Sequence, residues 1–127
     1  MLKNETVTMK LSRFHSAMAA IVPPGRVEDL LVLRQNLIAE EFTEVDDALE
    51  DVMDSDTVVN RGALLKELCD LVYVAVGTAE ALSMNFDVAF NRVHINNMLK
   101  LEGMEMREDG KVLKAKGHPV VDLEDLV

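Results

Sequence analysis

The sequence predicts an all-α protein: a bundle of four to five helices followed by a short C-terminal hairpin and tail. Hydrophobic residues make up 49% of the 127-residue chain but aromatic residues only 4%, and most of the apolar content is Leu, Val, Ala and Met. Apolar residues recur every three or four positions through most of the chain. The length fits one domain, residues 1–127, with a helical core over about 5–101 and a hairpin and tail over 102–127.

Two amphipathic helices come first. The first predicted helix runs from about Glu5 to Ile21, and the following Pro-Pro-Gly sequence ends it. The second is long, from about Val27 to Met53, and the polar stretch "DSDTVVNRG" ends it. The apolar face of the second helix carries Leu30, Leu31, Leu37, Ile38, Val45, Leu49 and Val52.

The third and fourth helices differ in character. The third is predicted from about Gly62 to Met84 and is so apolar through "LCDLVYVAVGTAEAL" that we expect it to be buried on most sides. It is then the central helix of a bundle or part of a subunit interface. The fourth continues to about Leu101, with Asp87 as its N-cap or as an acid in its first turn.

The chain becomes polar after the fourth helix. Asp109 and Gly110 lie between two short runs and predict a two-residue β-hairpin loop. The last residues, from Pro119 onward, are expected to form an extended tail that packs on its own or on a neighbouring subunit.

The charge of the chain excludes some partners. The formal net charge is −10, from 23 Asp and Glu against 13 Lys and Arg, so the chain repels polyphosphate backbones and we expect no nucleic acid polymer as a partner. A small anionic substrate would also be repelled unless metal cations neutralised the acids where it binds.

The single cysteine, Cys69, cannot form an internal disulfide and lies in an apolar run, which predicts a buried thiol and a reducing, cytoplasmic setting. No run of about 18 apolar residues and no signal-peptide pattern is present. We therefore expect an unsecreted protein that does not interact with a membrane.

Four acids interrupt the apolar faces of the second and third helices. Glu41 replaces an apolar residue in the stripe of the second helix, and Glu44 follows about one turn later. Glu67 and Asp70 repeat this spacing on the third helix. If the two helices are antiparallel, the two pairs meet and form an all-oxygen cage.

Buried carboxylates cost several kcal/mol unless they are paired, hydrogen-bonded or bound to a cation. Basic partners are scarce: Arg34 lies two turns away on another face, and Lys66 is expected to point away from its neighbour Glu67. Mg²⁺, with Mn²⁺ as a substitute, prefers such oxygen ligands. The alternative is solvated surface charge, to which we assign the remaining acids of this helix, with Glu40 as a candidate helper behind the ligands. These are Glu40, Asp46, Asp47, Glu50 and Asp51.

Several sequence blocks together resemble one known family. "EEFTE" at Glu40–Glu44, followed on the third helix by "ELCD" at Glu67–Asp70, is similar to the E-E-x-x-E…E-x-x-D signature of the MazG-like, all-α nucleoside triphosphate pyrophosphatases. Further blocks resemble its phosphoribosyl-ATP pyrophosphohydrolase-like branch, and the resemblance covers nearly the whole chain. They are "FH" at Phe14, "LRQNLIAEE" from Leu33, "DLVYVAVGTA" from Asp70, "VHINNMLK" from Val93 and "EDGKVLKAKGH" from Glu108.

The resemblance implies a Mg²⁺-dependent enzyme that cleaves a nucleoside triphosphate, NTP or dNTP, between the α and β phosphates. The expected metal ligands are Glu41, Glu44, Glu67 and Asp70. A carboxylate with an oxygen not occupied by metal, first Glu41 and then Glu44, is expected to accept the proton of the attacking water. The family fold pairs into dimers or dimers of dimers, so we expect a homodimer or homotetramer. Phosphoribosyl-ATP itself fits less well as the substrate. The long tail and the "FH" block are closer to the enzymes that act on other nucleotides.

Further contacts are expected from the same resemblance. Asn97 is expected to hydrogen-bond to the acid ligands or to phosphate, and Lys100 to bind phosphate charge. The alternative is a capping amide and a surface lysine. Lys111 and Lys114 close over the phosphates or lie on an exposed strand.

The base-binding residues are expected to be His15, Phe14 and Tyr73, with a core role as the alternative for the two larger rings. With no Trp and few other aromatics, the chain leaves the base preference open.

Two other classes of protein are alternatives to a pyrophosphohydrolase. A non-catalytic helical oligomer that binds a nucleotide or a protein partner would keep the bundle but not depend on the four acids. A di-iron oxidase requires histidines at Glu-x-x-His spacing, and the sequence has none.

Overall fold

The computed structural model describes residues 4–19, 25–102, 105–113 and 119–127. These residues form four α-helices: α1 (Val7–Ala19), α2 (Val27–Asp54), α3 (Val58–Ala81) and α4 (Phe86–Leu99). Two antiparallel strands, β1 (Glu105–Met106) and β2 (Val112–Leu113), and a 3₁₀ helix (Glu124–Leu126) follow. The predicted all-α class is confirmed. The chain forms two compact units, residues 1–82 and 83–127.

The first unit is organised around the hairpin of α2 and α3. Residues 55–57 join the two helices, and a connection this short makes them antiparallel neighbours. Thr57 caps α3 by accepting a hydrogen bond from the backbone N–H of Asn60. The Asn60 amide in turn donates to the carbonyls of Asp51 and Ser55 at the end of α2. These contacts fix the turn and therefore the register of the two helices.

The start of α3 is earlier than predicted. The sequence pattern placed it at Gly62, whereas the helix begins at Val58 because the Thr57 cap supplies an acceptor for its first turn. The helix ends at Ala81 rather than Met84, and Ser83 then adopts a positive φ of 57°. Both differences are explained by local hydrogen bonding and backbone conformation and not by the apolar pattern.

Helix α1 packs on α3, so α3 contacts both other helices of this unit. The buried apolar residues come from all three helices: Leu11, Val45, Ala48 and Val76. The prediction that the third helix is the central one therefore agrees with the fold of this unit.

The prediction that α3 is buried on most sides is wrong for the single chain. One face turns away from α1 and α2 and leaves Leu65 63% exposed, with Leu68 and Val72 also exposed. Cys69 is on this side as well, so the expectation of a buried thiol is corrected: the thiol is exposed. A uniformly apolar helix does not reveal which of its sides the same chain covers.

The second unit contains α4, the hairpin and the C-terminal tail. Asn85 caps α4 by accepting from the N–H of Val88, and Asp87 lies in the first turn. The tail folds back on α4 of the same chain. Arg92 binds Asp125 through two hydrogen bonds of 2.6 and 2.9 Å, and the N–H of Asn85 donates to the carbonyl of Leu126.

The predicted hairpin is present, but its loop is longer than two residues. The N–H of Gly110 donates to the Arg107 carbonyl, and the N–H of Arg107 donates to the Lys111 carbonyl, so residues 108–110 form the loop. Gly110 has a φ of +89°, a conformation that favours glycine. A three-residue loop that ends in such a residue is a common hairpin connection.

The length and apolar content of the helices determine whether one of them could cross a membrane. Among the described residues, none of the helices combines the length and the apolar content that crossing a bilayer requires.

Candidate metal centre between α2 and α3

Four acids from two helices converge in the first unit. Glu41 and Glu44 of α2 and Glu67 and Asp70 of α3 each offer one carboxylate oxygen, and these oxygens lie within 4.8 Å of one another. All four residues are partly buried. We call this group the acid cluster. It is a set of oxygen ligands dense enough to surround a small cation.

The hairpin geometry explains why the acids meet. Glu44 lies 11 residues before Ser55, where the connection begins, and Glu67 lies 10 residues after Thr57, where it ends. Glu41 and Asp70 lie 14 residues before Ser55 and 13 residues after Thr57, each about one helical turn further from the connection. In an antiparallel pair, residues at nearly equal distances from the connection lie side by side, so each acid of α2 faces an acid of α3.

Two oxygens of the acid cluster have no hydrogen-bond partner among the described residues. Glu41 Oε2 and Glu67 Oε2 are buried and accept no hydrogen bond from the described residues. A buried carboxylate oxygen without a partner costs roughly 1–3 kcal/mol or more, because folding removes its water without replacing it. A divalent cation would supply the missing interaction for both oxygens, so the donor set and its lack of partners fit a metal centre.

Lys66 interacts with the acid cluster, contrary to the expectation that it points away. Its Nζ lies 2.6 Å from Asp70 Oδ2 and 3.3 Å from Glu67 Oε1. The hydrogen bonds to Asp70 and Glu67 raise the pKa of the Lys66 ammonium. The i,i+4 spacing of Lys66 and Asp70 is the sequence signal for this contact.

Arg34 was also misplaced by the sequence argument. Seven residues are close to two full helical turns, so Arg34 and Glu41 share nearly the same face of α2. Arg34 is only 9% exposed, and its Nε donates to Thr78 Oγ1 at 3.0 Å and its Nη2 to the Val74 carbonyl at 2.8 Å. Burial lowers the pKa of the guanidinium. Arg34 therefore connects α2 to α3 and forms no ion pair with the acid cluster.

Gly77 is the residue that makes room for Arg34. A Cβ at this position would lie 2.8 Å from Arg34 Nη2 and 2.9 Å from His15 Nε2. Both distances are shorter than real Cβ contacts. A larger residue would force the ends of the Arg34 and His15 side chains to move, and sequence reasoning missed this close approach of three helices.

The three residues predicted to bind the base lie next to one another. The ring of Phe14 meets Tyr73 edge to face at 5.2 Å and His15 at 5.8 Å. Phe14 and Tyr73 are each at least 40% exposed, so these rings are not core residues of the single chain. Burial, followed by the charge of Arg34, lowers the pKa of His15, while Glu80 opposes this shift.

The predicted phosphate-binding residues lie in the second unit. Lys100 Nζ donates a hydrogen bond of 2.7 Å to Asn97 Oδ1, so the two side chains form a pair at the end of α4. Lys111 is exposed in the hairpin. Lys114 lies outside the described residues.

Comparison with known protein families gives a match. The family model described as phosphoribosyl-ATP pyrophosphohydrolase matches residues 11–97, a segment that contains α2, α3 and all four residues of the acid cluster. A search of curated proteins found no match for this chain.

Proposed function

The chain belongs to the phosphoribosyl-ATP pyrophosphohydrolase family, whose members are metal-dependent hydrolases of phosphoanhydride bonds, and from this premise we propose a Mg²⁺-dependent nucleoside triphosphate pyrophosphohydrolase. The proposed reaction cleaves an NTP or dNTP between the α and β phosphates and releases a nucleoside monophosphate and pyrophosphate. The observation that carries the proposal is the acid cluster, in which two buried carboxylate oxygens lack a partner within the part of the chain that the structure describes.

The four acids are the proposed ligands of the metal ions. Glu41, Glu44, Glu67 and Asp70 would hold the ions, with Mg²⁺ as the physiological metal and Mn²⁺ as a substitute. Divalent ions at this position supply charge neutralisation of the phosphates and Lewis acidity. Phosphoanhydride hydrolysis needs little else from the protein than positioning and a proton acceptor.

Glu41 is our first choice for the proton acceptor. Its carboxylate has two oxygens, so when one of them binds the metal the other can take a proton from the attacking water. Glu44, one turn further along α2, is the second choice. Both residues are carried by a long helix, which holds a catalytic group more precisely than a loop does.

We assign the remaining substrate contacts to cations and rings. Lys100, oriented by Asn97, would bind phosphate charge, and Lys111 and Lys114 would add to it. On the first unit, the edge-to-face group formed by Phe14, His15 and Tyr73 offers exposed ring surface for stacking on a nucleobase.

The exposed face of α3 supports a homodimer or homotetramer. Leu65, Leu68 and Val72 present adjacent apolar surface that a second copy of the chain would cover. Light scattering on purified protein measures the mass directly, and a monomer at micromolar concentration would contradict this assignment.

The activity is tested by measuring pyrophosphate release from a panel of ribo- and deoxynucleoside triphosphates with and without Mg²⁺. We expect release that requires the metal and that Glu67→Gln lowers about 100-fold to 1000-fold. Glu50→Gln is the matched control, because Glu50 is an exposed acid on the same long helix as Glu41. No release from any nucleotide by a folded, metal-binding protein would contradict the proposal.

Phosphoribosyl-ATP is a second candidate substrate, because the matching family carries that description. Its hydrolysis breaks the same α–β bond and also releases pyrophosphate. Including it in the panel separates the two candidates, since the true substrate has the higher kcat/KM.

A further inference from the structure

Lys66 is the cation that contacts the acid cluster. Its ammonium lies within ion-pair distance of Asp70 and Glu67, and no other Lys or Arg of the described residues forms an ion pair with the four acids. Lys66 lies on the same helix as both partners, and its side chain is 65% exposed. It therefore reaches the acid cluster from the solvent side, while the two unpartnered oxygens are on the buried side.

The ammonium neutralises only part of the acid cluster. It brings one positive charge to four carboxylates and contacts Glu67 through Oε1, so Glu67 Oε2 and Glu41 Oε2 still have no partner among the described residues. A divalent ion bound to the same acids would place its two positive charges within a few ångströms of the positively charged ammonium, and the two cations would repel each other. The ammonium and the ion therefore compete for Asp70 and Glu67.

We propose that Lys66 is a built-in competitor of the metal, which holds Asp70 and Glu67 in the ion-free protein and is displaced when a divalent ion binds. This inference rests on the proposed function, since it assumes that the acid cluster is the metal site. Lys66 thereby weakens the affinity for the ion and raises the ion concentration at which the site fills.

The proposal differs in its consequences from an ordinary helical ion pair. A surface Lys–Asp pair at i,i+4 spacing stabilises a helix slightly and affects nothing else. A competitor, in contrast, links its own contacts to ion binding, so removing its charge strengthens metal binding although no ligand has changed.

The test is a calorimetric titration with Mn²⁺ alone, without nucleotide. Replacing the ammonium with an uncharged side chain of similar length in Lys66→Met removes the competing pair, and we expect about twofold to fivefold tighter binding, the range of an exposed ion pair. Lys66→Arg keeps the charge and is expected to bind Mn²⁺ no more tightly than the native protein. Lys10→Met is the matched control, because it removes the same charge from an exposed position on α1 and should leave the affinity unchanged.

Thermal unfolding without metal gives an independent measurement. Lys66→Met is expected to melt at a lower temperature than Lys10→Met, because the four acids then lose their only ion-pair partner among the described residues. A larger rise in the melting temperature on adding Mn²⁺ should follow.

The outcomes separate this inference from the proposed function. Equal Mn²⁺ affinity in the native protein and Lys66→Met would overturn the role of Lys66 and leave the metal site intact. Absence of Mn²⁺ binding in both proteins would overturn the site and this role together.

Discussion

The interface of α2 and α3 contains two polar groups at different distances from the hairpin connection. The acid cluster lies nearer to the connection, and Arg34 of α2 and Gly77 of α3 lie about two helical turns beyond it. Arg34 finds neutral acceptors in Thr78 and Val74 of the same hairpin. The acid cluster leaves two buried oxygens without a partner among the described residues.

The comparison teaches how to distinguish a structural polar group from a binding site. A buried polar group whose hydrogen bonds are made within the protein stabilises the fold, because folding replaces its water contacts. A buried group that lacks partners lowers stability unless a ligand completes it. We therefore expect substitutions at Arg34 to affect folding and substitutions in the acid cluster to affect activity.

The largest expected effect is on catalysis. Glu67→Gln keeps the shape of the side chain and removes its charge, and we expect kcat/KM for the best nucleotide to fall about 100-fold to 1000-fold, as for other groups that stabilise a transition-state charge. Steady-state pyrophosphate release at saturating Mg²⁺ measures this change.

The same variant should not be less stable than the native protein when metal is absent. Removing one of four like charges relieves repulsion, so its urea midpoint is expected to equal or exceed that of the native protein. A loss of activity that is accompanied by a large loss of metal-free stability would mean that Glu67 is a structural residue.

Arg34→Met should have the opposite profile. The substitution removes hydrogen bonds from a buried guanidinium, and we expect the free energy of unfolding to fall by about 2 kcal/mol, as for hydrogen bonds of charged groups. Urea denaturation measures it. The control is Arg26→Met, because Arg26 is exposed and pairs with Asp29 on the surface, where such a pair contributes about 0–1 kcal/mol. Equal losses in the two variants would contradict a special role of Arg34.

Substitutions of two glycines on α3 are expected to have smaller effects on stability, and the two effects are opposite in sign to each other. Gly77→Ala forces Arg34 and His15 to move, and we expect a loss of about 1 kcal/mol after the gain in helix propensity. Gly62→Ala meets nothing within 4 Å, so it should instead raise stability by about 1 kcal/mol. Thermal unfolding of both variants checks the prediction, which fails if Gly77→Ala is also stabilising.

The smallest expected effect is the pH dependence contributed by His15. Burial and Arg34 lower its pKa below the usual 6.5, so the unfolded chain takes up a proton more readily than the folded chain. Its contribution to stability is thus complete above pH 6.5 and is lost as the pH falls through the lower folded pKa.

His15→Gln should therefore reduce the loss of stability on acidification. Urea midpoints measured between about pH 5 and pH 8 test this expectation, because this range covers histidine titration. The exposed His94 provides the control variant His94→Gln. Identical pH profiles for His15→Gln and the native protein would rule out the contribution of His15.

Much of the fold followed from local sequence signals. The spacing of apolar residues located all four helices, and the short polar stretch after α2 marked the turn that makes α2 and α3 antiparallel. The i,i+3 pairs of acids then selected the residues that the hairpin brings together. The roles of these acids as metal ligands remain a prediction.

The errors have a common origin in contacts between or along helices. The direction of Lys66 depends on which rotamer reaches Asp70, and the exposure of Cys69 depends on which side of α3 the chain covers. The Thr57 cap moved the start of α3 through a single hydrogen bond. None of these is encoded in apolar periodicity.

The sequence by itself determined the helices, the antiparallel pairing of α2 and α3 and the pairing of their acids. Helical periodicity and the length of a connection act over short distances along the chain. Only the tertiary structure decided which polar groups are satisfied. Arg34 and the acid cluster share one interface, and their different partners depend on how α1, α2 and α3 approach one another at Gly77 and at Glu67. Hydrogen bonding between distant residues is a property of that approach.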